Sequence, residues 1–127
     1  SRAAQDYFTT TKASLEWDSP AQAVPKHVAR LMLNLVLLSL DTIPRGGEVR
    51  VMHDIKEDGH GSIRIEASGK GARVTEEAWA AVQGKTSTED LDARLVQPFF
   101  TGYLARHIGA ILDQQADGHT SLLSARI

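Results

Sequence analysis

No cysteine occurs among the 127 residues. That absence removes disulfides, thiolate metal sites and cysteine nucleophiles together, and it fits a reducing compartment, so the cytoplasm is the expected location. An excess of one charge is missing as well: 14 Lys+Arg stand against 16 Asp+Glu, a formal charge of -2. With neither a basic run nor an acidic tail, nucleic acid is not an expected partner. Long hydrophobic runs are also missing. The longest apolar stretch without charge, 31–40, is ten residues, about half of what a helix needs to cross a bilayer, so it reads as a core helix and no membrane association is expected. There is no internal repeat and no low-complexity tract. The chain opens on Ser1 rather than Met, without a basic-then-apolar leader pattern, which suggests a piece of a longer protein.

What is present fits one domain, large enough to bury roughly two thirds of the surface of its unfolded form. Residues 3–9 suggest a short helix, and "KASLEWD" (12–18) alternates as a strand carrying Leu15 and Trp17, followed by a loop through "SPAQAVP". Pro25 suits the first turn of a helix, and Val28, Leu31, Met32, Leu35, Val36 and Leu40 follow at helical spacing, with Leu33, Leu37 and Leu38 widening the stripe. So apolar a helix is expected to lie against a sheet and beneath another helix. "PRGG" (44–47) marks a turn; "EVRVMHDI" and "SIRIEA" then alternate around "KEDGHG", predicting a hairpin with Val49, Val51, Ile63 and Ile65 inward. Thr75 is placed to cap "TEEAWAAVQG", with Glu76 and Glu77 in the first turn and Gly84 at the end. A helix is predicted over 91–108, interrupted or started at Pro98 and carrying Leu95, Phe99, Tyr103, Leu104 and Ile108. "AILDQQ" and "TSLLSARI" close the chain as a second hairpin. Five strands and three or four helices in this order predict an α/β (α+β) two-layer sandwich, a mixed five-stranded sheet with helices packed on one face.

The succession of "LMLNLVLLSLDTIPRGGEVRV", "SGKGARVTEE", a helix and "HIGAILDQQADGHTSLLSARI" resembles the ATP-binding domain of sensor histidine kinases, the Bergerat or GHKL fold, over nearly the whole chain. More closely, "SLEWDSP", "IPRGGEV" and "LVQPFFTGYLARHIGAIL" without a glycine-rich lid resemble the C-terminal domain of ChpT-type histidine phosphotransferases of bacterial phosphorelays. In that family, the resemblance implies, an N-terminal helical hairpin dimerises and carries the phosphoacceptor histidine, and a kinase-like domain that has lost ATP binding follows it.

The resemblance also assigns residues. A working kinase domain offers an asparagine on the long helix and, four residues on, a second that ligates Mg²⁺ on the same face. Asn34 matches the first, whereas Leu38 replaces the second. An aspartate for the adenine amino group should precede a G-x-G loop; Gly69 and Gly71 match the glycines, and Ala67 stands where the aspartate should be. A second glycine-rich lid, whose N–H groups approach phosphates, is replaced by "KTSTEDLDARLV", which has no glycine. At about 2 kcal/mol for each unmade bond the three losses sum to about 6 kcal/mol, roughly four powers of ten in affinity. Asn34, Leu38, Ala67, Gly69 and Gly71 are therefore expected to outline a vestigial nucleotide pocket with no cofactor and no metal. Taken alone, without the resemblance, Asn34 reads rather as a buried amide bonded to backbone, and the glycines as turn residues.

His53, in "HDIK", superficially matches a phosphoacceptor signature of histidine, acid and apolar residue. It lies in a strand, however, whereas such an imidazole projects from an exposed helix, so no catalytic residue is expected in this chain. His53, Asp54, Asp58 and His60 match no tight metal motif and read as a solvated turn. His27 and His107 read as surface or packing residues and His119 as turn material. Three functions follow from these features. The first is the ATP-free domain of a phosphotransferase that recognises response-regulator receiver domains, monomeric as this fragment because dimerisation belongs to the absent N-terminal helices. The second is a kinase ATP-binding domain with unusual ligands, and the third a structural interaction module.

Overall fold

The computed structural model describes residues 13–17 and 24–127. In chain order it contains β1 (Ala13–Trp17), α1 (Lys26–Asp41), β2 (Gly47–Ile55), β3 (Gly61–Ser68), α2 (Glu76–Val82), a 3₁₀ turn (Thr88–Asp90), α3 (Val96–His107), β4 (Ile111–Ala116) and β5 (Thr120–Arg126). The strands form one sheet ordered β1-β2-β3-β5-β4. β1 runs parallel to β2, and the remaining neighbours are antiparallel. The mixed sheet with helices on one face is the architecture expected from the alternating pattern. The helix suggested for residues 3–9 and most of the loop after β1 lie outside the described residues. Among the described residues no helix is long and apolar enough to cross a membrane.

The hairpin strands alternate as their sequence requires. Val49, Val51, Ile63 and Ile65 are fully buried, while Glu48, Arg50 and Arg64 face away from the helices into solvent. Against the inner face lies α1, burying Val28, Leu31, Leu35 and Leu38. Burial of this kind, about 25 cal/mol per Å² of apolar surface, stabilises the two layers far more than the propensity of any single helix. The strand Ala13–Trp17 falls inside its predicted span, with Leu15 and Trp17 half-buried against the core.

Two boundaries differ from expectation. Pro25 precedes α1 rather than opening it: its ψ of 147° is extended, and its carbonyl accepts the first helical bonds from the N–H groups of Val28 and Ala29. The long last helix begins at Val96. Upstream, the Asp92 carboxylate accepts from the N–H groups of Arg94 and Leu95, both at 3.0 Å, a local turn that competes with helix. Pro98 is tolerated because a first-turn N–H has no helical acceptor to lose. Tyr103 is 52% exposed, because the core-facing side of α3 is set by Pro98, Thr101, Gly102, Leu104 and Ala105.

Candidate functional site

A cavity of about 430 Å³ opens where the end of α1 (Leu38, Asp41, Thr42) meets the segment entering α2 (Arg73, Val74, Thr75, Ala78) and the segment entering α3 (Ala93, Arg94, Leu95, Gln97, Pro98). Local capping holds these three pieces. The Thr42 hydroxyl donates to the Ser39 carbonyl at 2.6 Å and ends α1, and the Arg73 N–H donates to the Thr42 carbonyl at 3.2 Å. Thr75 caps α2 as expected, its hydroxyl accepting from the Ala78 N–H at 3.1 Å.

Of the five residues expected to outline a nucleotide pocket, Leu38 lines this cavity; the other four are placed elsewhere. Asn34, one turn before Leu38, is engaged at both ends of its amide. Its Nδ2 donates to the Arg30 carbonyl at 2.9 Å, and its Oδ1 accepts from Gln97 Nε2 at 3.3 Å. The same Nε2 lies 2.8 Å from the Asn34 carbonyl and 2.8 Å from Thr101 Oγ1, whose hydroxyl in turn donates to the Gln97 carbonyl. Asn34 is thus the backbone-bonded amide that its residue type alone suggested, and it ties α1 to α3. The sequence reading missed Gln97 and Thr101. The available signal was a polar pair four residues apart on the buried face of an otherwise apolar helix.

Ala67 is fully buried in β3, between Val49 of β2 and Ser121 of β5. The loop after β3 has its N–H groups in use: Gly69 donates to the His119 carbonyl at 2.8 Å and Gly71 to the Gly118 carbonyl at 2.9 Å. Gly71 needs its residue type, since its φ is +74°. At Gly69 a Cβ would lie 2.6 Å from the Gly46 carbonyl oxygen. Both glycines therefore serve the packing of this loop against the turns at 44–47 and 117–119.

The glycine-free segment before α3 is fastened down. Ser87 Oγ donates to Asp90 at 2.9 Å, and the Arg94 guanidinium pairs with Glu77 of α2 at 3.1 Å and with Asp92 at 3.6 Å. These groups are exposed, so each pair contributes little to stability. Together they set where Arg94 sits, and the bond to Glu77 holds its proton more firmly than usual.

Asp41 ends α1 at the cavity rim. The residue is exposed as a whole, but burial around its carboxyl raises its pKa above the ordinary aspartate range. A raised folded-state pKa means that the folded chain binds this proton more tightly than the unfolded chain, so stability is lost as pH rises above about 4. Asp41→Asn is accordingly expected to flatten the fall in denaturation midpoint between about pH 4 and pH 6. An unchanged slope would mean that the carboxyl is fully solvated.

The histidines are spread over separate elements. His53 sits half-buried in β2, edge-on to Trp17 with ring centroids 6.0 Å apart. Desolvation lowers its pKa against the opposing pull of Asp54. The His60 backbone N–H donates to the Asp58 carboxylate at 2.9 Å, and the His60 ring Nδ1 lies 3.3 Å from the Ile127 carbonyl oxygen. Among the described residues no three His, Cys, Asp or Glu side chains gather as a metal site. His107 stacks on Tyr103, and Tyr103 on Phe100, with centroids 6.1 and 6.3 Å apart. With Val96 this makes an exposed stripe along α3, and Leu33 and Leu37 are exposed on the neighbouring helix α1.

Comparison with known proteins fits this geometry. The sequence profile of the family described as "Histidine phosphotransferase C-terminal domain" matches residues 1–120. The protein phosphotransferase ChpT of Brucella abortus (strain 2308) is 30% identical over 122 residues, covering 96% of this chain and 58% of that protein. A bacterial phosphotransferase of known structure superposes with a TM-score of 0.86 at 29% identity, over 98% of this chain and 60% of the other. The histidine kinase domain of the blue-light activated kinase EL346 from Erythrobacter litoralis has a TM-score of 0.67 at 13% identity, over 99% of this chain and 56% of that one, a likeness of fold. The chain thus spans somewhat more than half the length of the two phosphotransferases it matches. A kinase-type fold and a profile match over nearly all its residues agree that this chain belongs to the family of histidine phosphotransferase C-terminal domains.

Proposed function

We propose that this chain is the C-terminal domain of a phosphorelay histidine phosphotransferase, that it has lost ATP binding, and that it recognises response-regulator receiver domains. An N-terminal helical hairpin would dimerise the parent protein and carry the histidine. The phosphoryl group would leave a receiver aspartate for that imidazole nitrogen and pass on to the aspartate of a second receiver. The observation that carries this reading is the state of the long helix: the Asn34 amide is consumed by Arg30 and Gln97, and Leu38 forms apolar wall where a metal-binding amide would stand. The engaged N–H groups of Gly69 and Gly71 support it, since neither is free for a phosphate.

Calorimetric titration with Mg²⁺ and ATP tests the first part. No heat is expected up to about 1 mM nucleotide; saturable micromolar binding would instead return the chain to the kinases. For the second part, the exposed stripe of Val96, Phe100 and Tyr103 has the aromatic composition of an interface centre. Phe100→Asp in the full-length parent is expected to weaken receiver binding about tenfold or more, the loss typical of a buried aromatic anchor, while the melting temperature stays within about 2 °C. Unchanged receiver affinity would move the contact to another face.

A further inference from the structure

The cavity between α1, α2 and α3 holds two charges that no neighbour satisfies. Among the described residues the Arg73 guanidinium makes no hydrogen bond or ion pair, and neither does the Asp41 carboxylate, although both line the same cavity. The other charged group there, Arg94, is already neutralised by Glu77 and Asp92. The Thr75 hydroxyl is used as a helix cap and the Thr42 hydroxyl by the Ser39 carbonyl. Among the described residues this leaves the Arg73 cation, the Asp41 anion and an apolar wall of Leu38, Val74, Leu95 and Pro98.

We propose that this cavity binds a small zwitterion of the amino-acid or dipeptide class. Its ammonium group would meet Asp41, its carboxylate Arg73, and its aliphatic side chain the wall at Leu38 and Leu95. This rests on the reading that nucleotide no longer occupies the site.

Three physical points favour this class over others. At about 430 Å³ the cavity lies at the small end of the range for ligand sites, about 300–1,000 Å³. A polyanion is opposed by Asp41, which sits at the C-terminal end of α1, where the helix dipole already disfavours negative charge. A ligand cation there would relieve both the dipole and the desolvation that raises the Asp41 pKa. A plain apolar molecule would leave Arg73 and Asp41 unpaired in a narrowed space. A zwitterion supplies a charge-assisted bond to each. Gln97 contributes shape only, because its amide nitrogen is turned to Asn34 and Thr101 and its Oε1 is sealed from solvent without a partner.

The test is calorimetric titration of the chain with glycyl-L-leucine, N-acetylglycyl-L-leucine, glycyl-L-leucinamide and Mg·ATP, repeated on Asp41→Asn and Arg73→Gln. Both substituted residues are exposed; Arg73→Gln is expected to keep the wild-type melting temperature, and Asp41→Asn to match or exceed it at neutral pH, since it removes the carboxylate whose ionisation costs stability. Glycyl-L-leucine should saturate below about 1 mM, and each blocked probe should bind about tenfold more weakly. Asp41→Asn should weaken glycyl-L-leucine yet leave the acetylated probe unaffected, and Arg73→Gln should do the same with respect to the amide. No saturation by any dipeptide up to about 10 mM, or binding indifferent to both substitutions, would overturn the proposal. If Mg·ATP also fails to bind, the functional reading stands without this ligand. If Mg·ATP alone binds at micromolar concentration, both fall.

Discussion

Gly102→Ala is expected to lower the melting temperature by about 8 °C. Gly102 is buried in α3 against the end of α2, and a Cβ built there would fall inside the Val82 carbonyl oxygen and lie 2.6 Å from its carbon. That carbonyl also accepts from Arg106 Nη1 at 2.8 Å, so α2 cannot retreat without loosening a second bond between the helices. Overpacking of this kind costs about 3 kcal/mol, and the better helix propensity of alanine returns about 1 kcal/mol. The remaining 2 kcal/mol or so corresponds to about 4 °C per kcal/mol in a domain of this size. Thermal unfolding followed by circular dichroism decides it. A variant as stable as the wild type would show that α2 and α3 have room to separate.

The second large effect concerns the aspartate that a nucleotide-binding relative of this fold would carry. Ala67→Asp is expected to cost about 4 kcal/mol at neutral pH, because position 67 is fully buried and a carboxylate there would have its pKa raised by roughly 3 units. One neighbour offers some relief: Ser121, directly across in β5, has a buried hydroxyl with no partner. A single neutral donor recovers only about 1 kcal/mol. The sign is that of an acid with raised pKa. The ionisation penalty is small near pH 4, where the folded form is protonated and the unfolded form only about half ionised, and it grows as pH rises toward the raised value. Urea midpoints at about pH 4.5 and pH 7.5 should therefore diverge between variant and wild type, with the larger deficit at the higher pH. Equal stability at both would mean that the cavity extends beneath β3, and that the adenine end of the ancestral site is still open. On the expected result, a carboxylate at position 67 is opposed by the packing of the core itself.

The element order was legible from residues 13–17 and 24–127 because it rests on local signals: period-two strands around "PRGG" and "KEDGHG", an apolar helical stripe in α1, and Thr75 ahead of two glutamates. The start of α3 was less legible. Asp92 captures two N–H groups that helix periodicity alone would have counted as helical. The side of α3 that faces the core was not legible either: it is the side of Pro98, Thr101, Gly102, Leu104 and Ala105, and Tyr103 lies outside it.

By itself the sequence determined the fold class and the family resemblance, since both rest on local periodicity and on residue identity at positions in short motifs. The fate of the groups that remained was decided only by tertiary structure. Asn34 meets Gln97 across 63 residues, Gly69 and Gly71 surrender their N–H groups to the turn at 118–119, and Arg73 and Asp41 come to share one cavity without pairing. Periodicity specifies which face of an element is apolar. Which donor meets which acceptor depends on how distant elements pack once the core has closed, and no local pattern of residues encodes that.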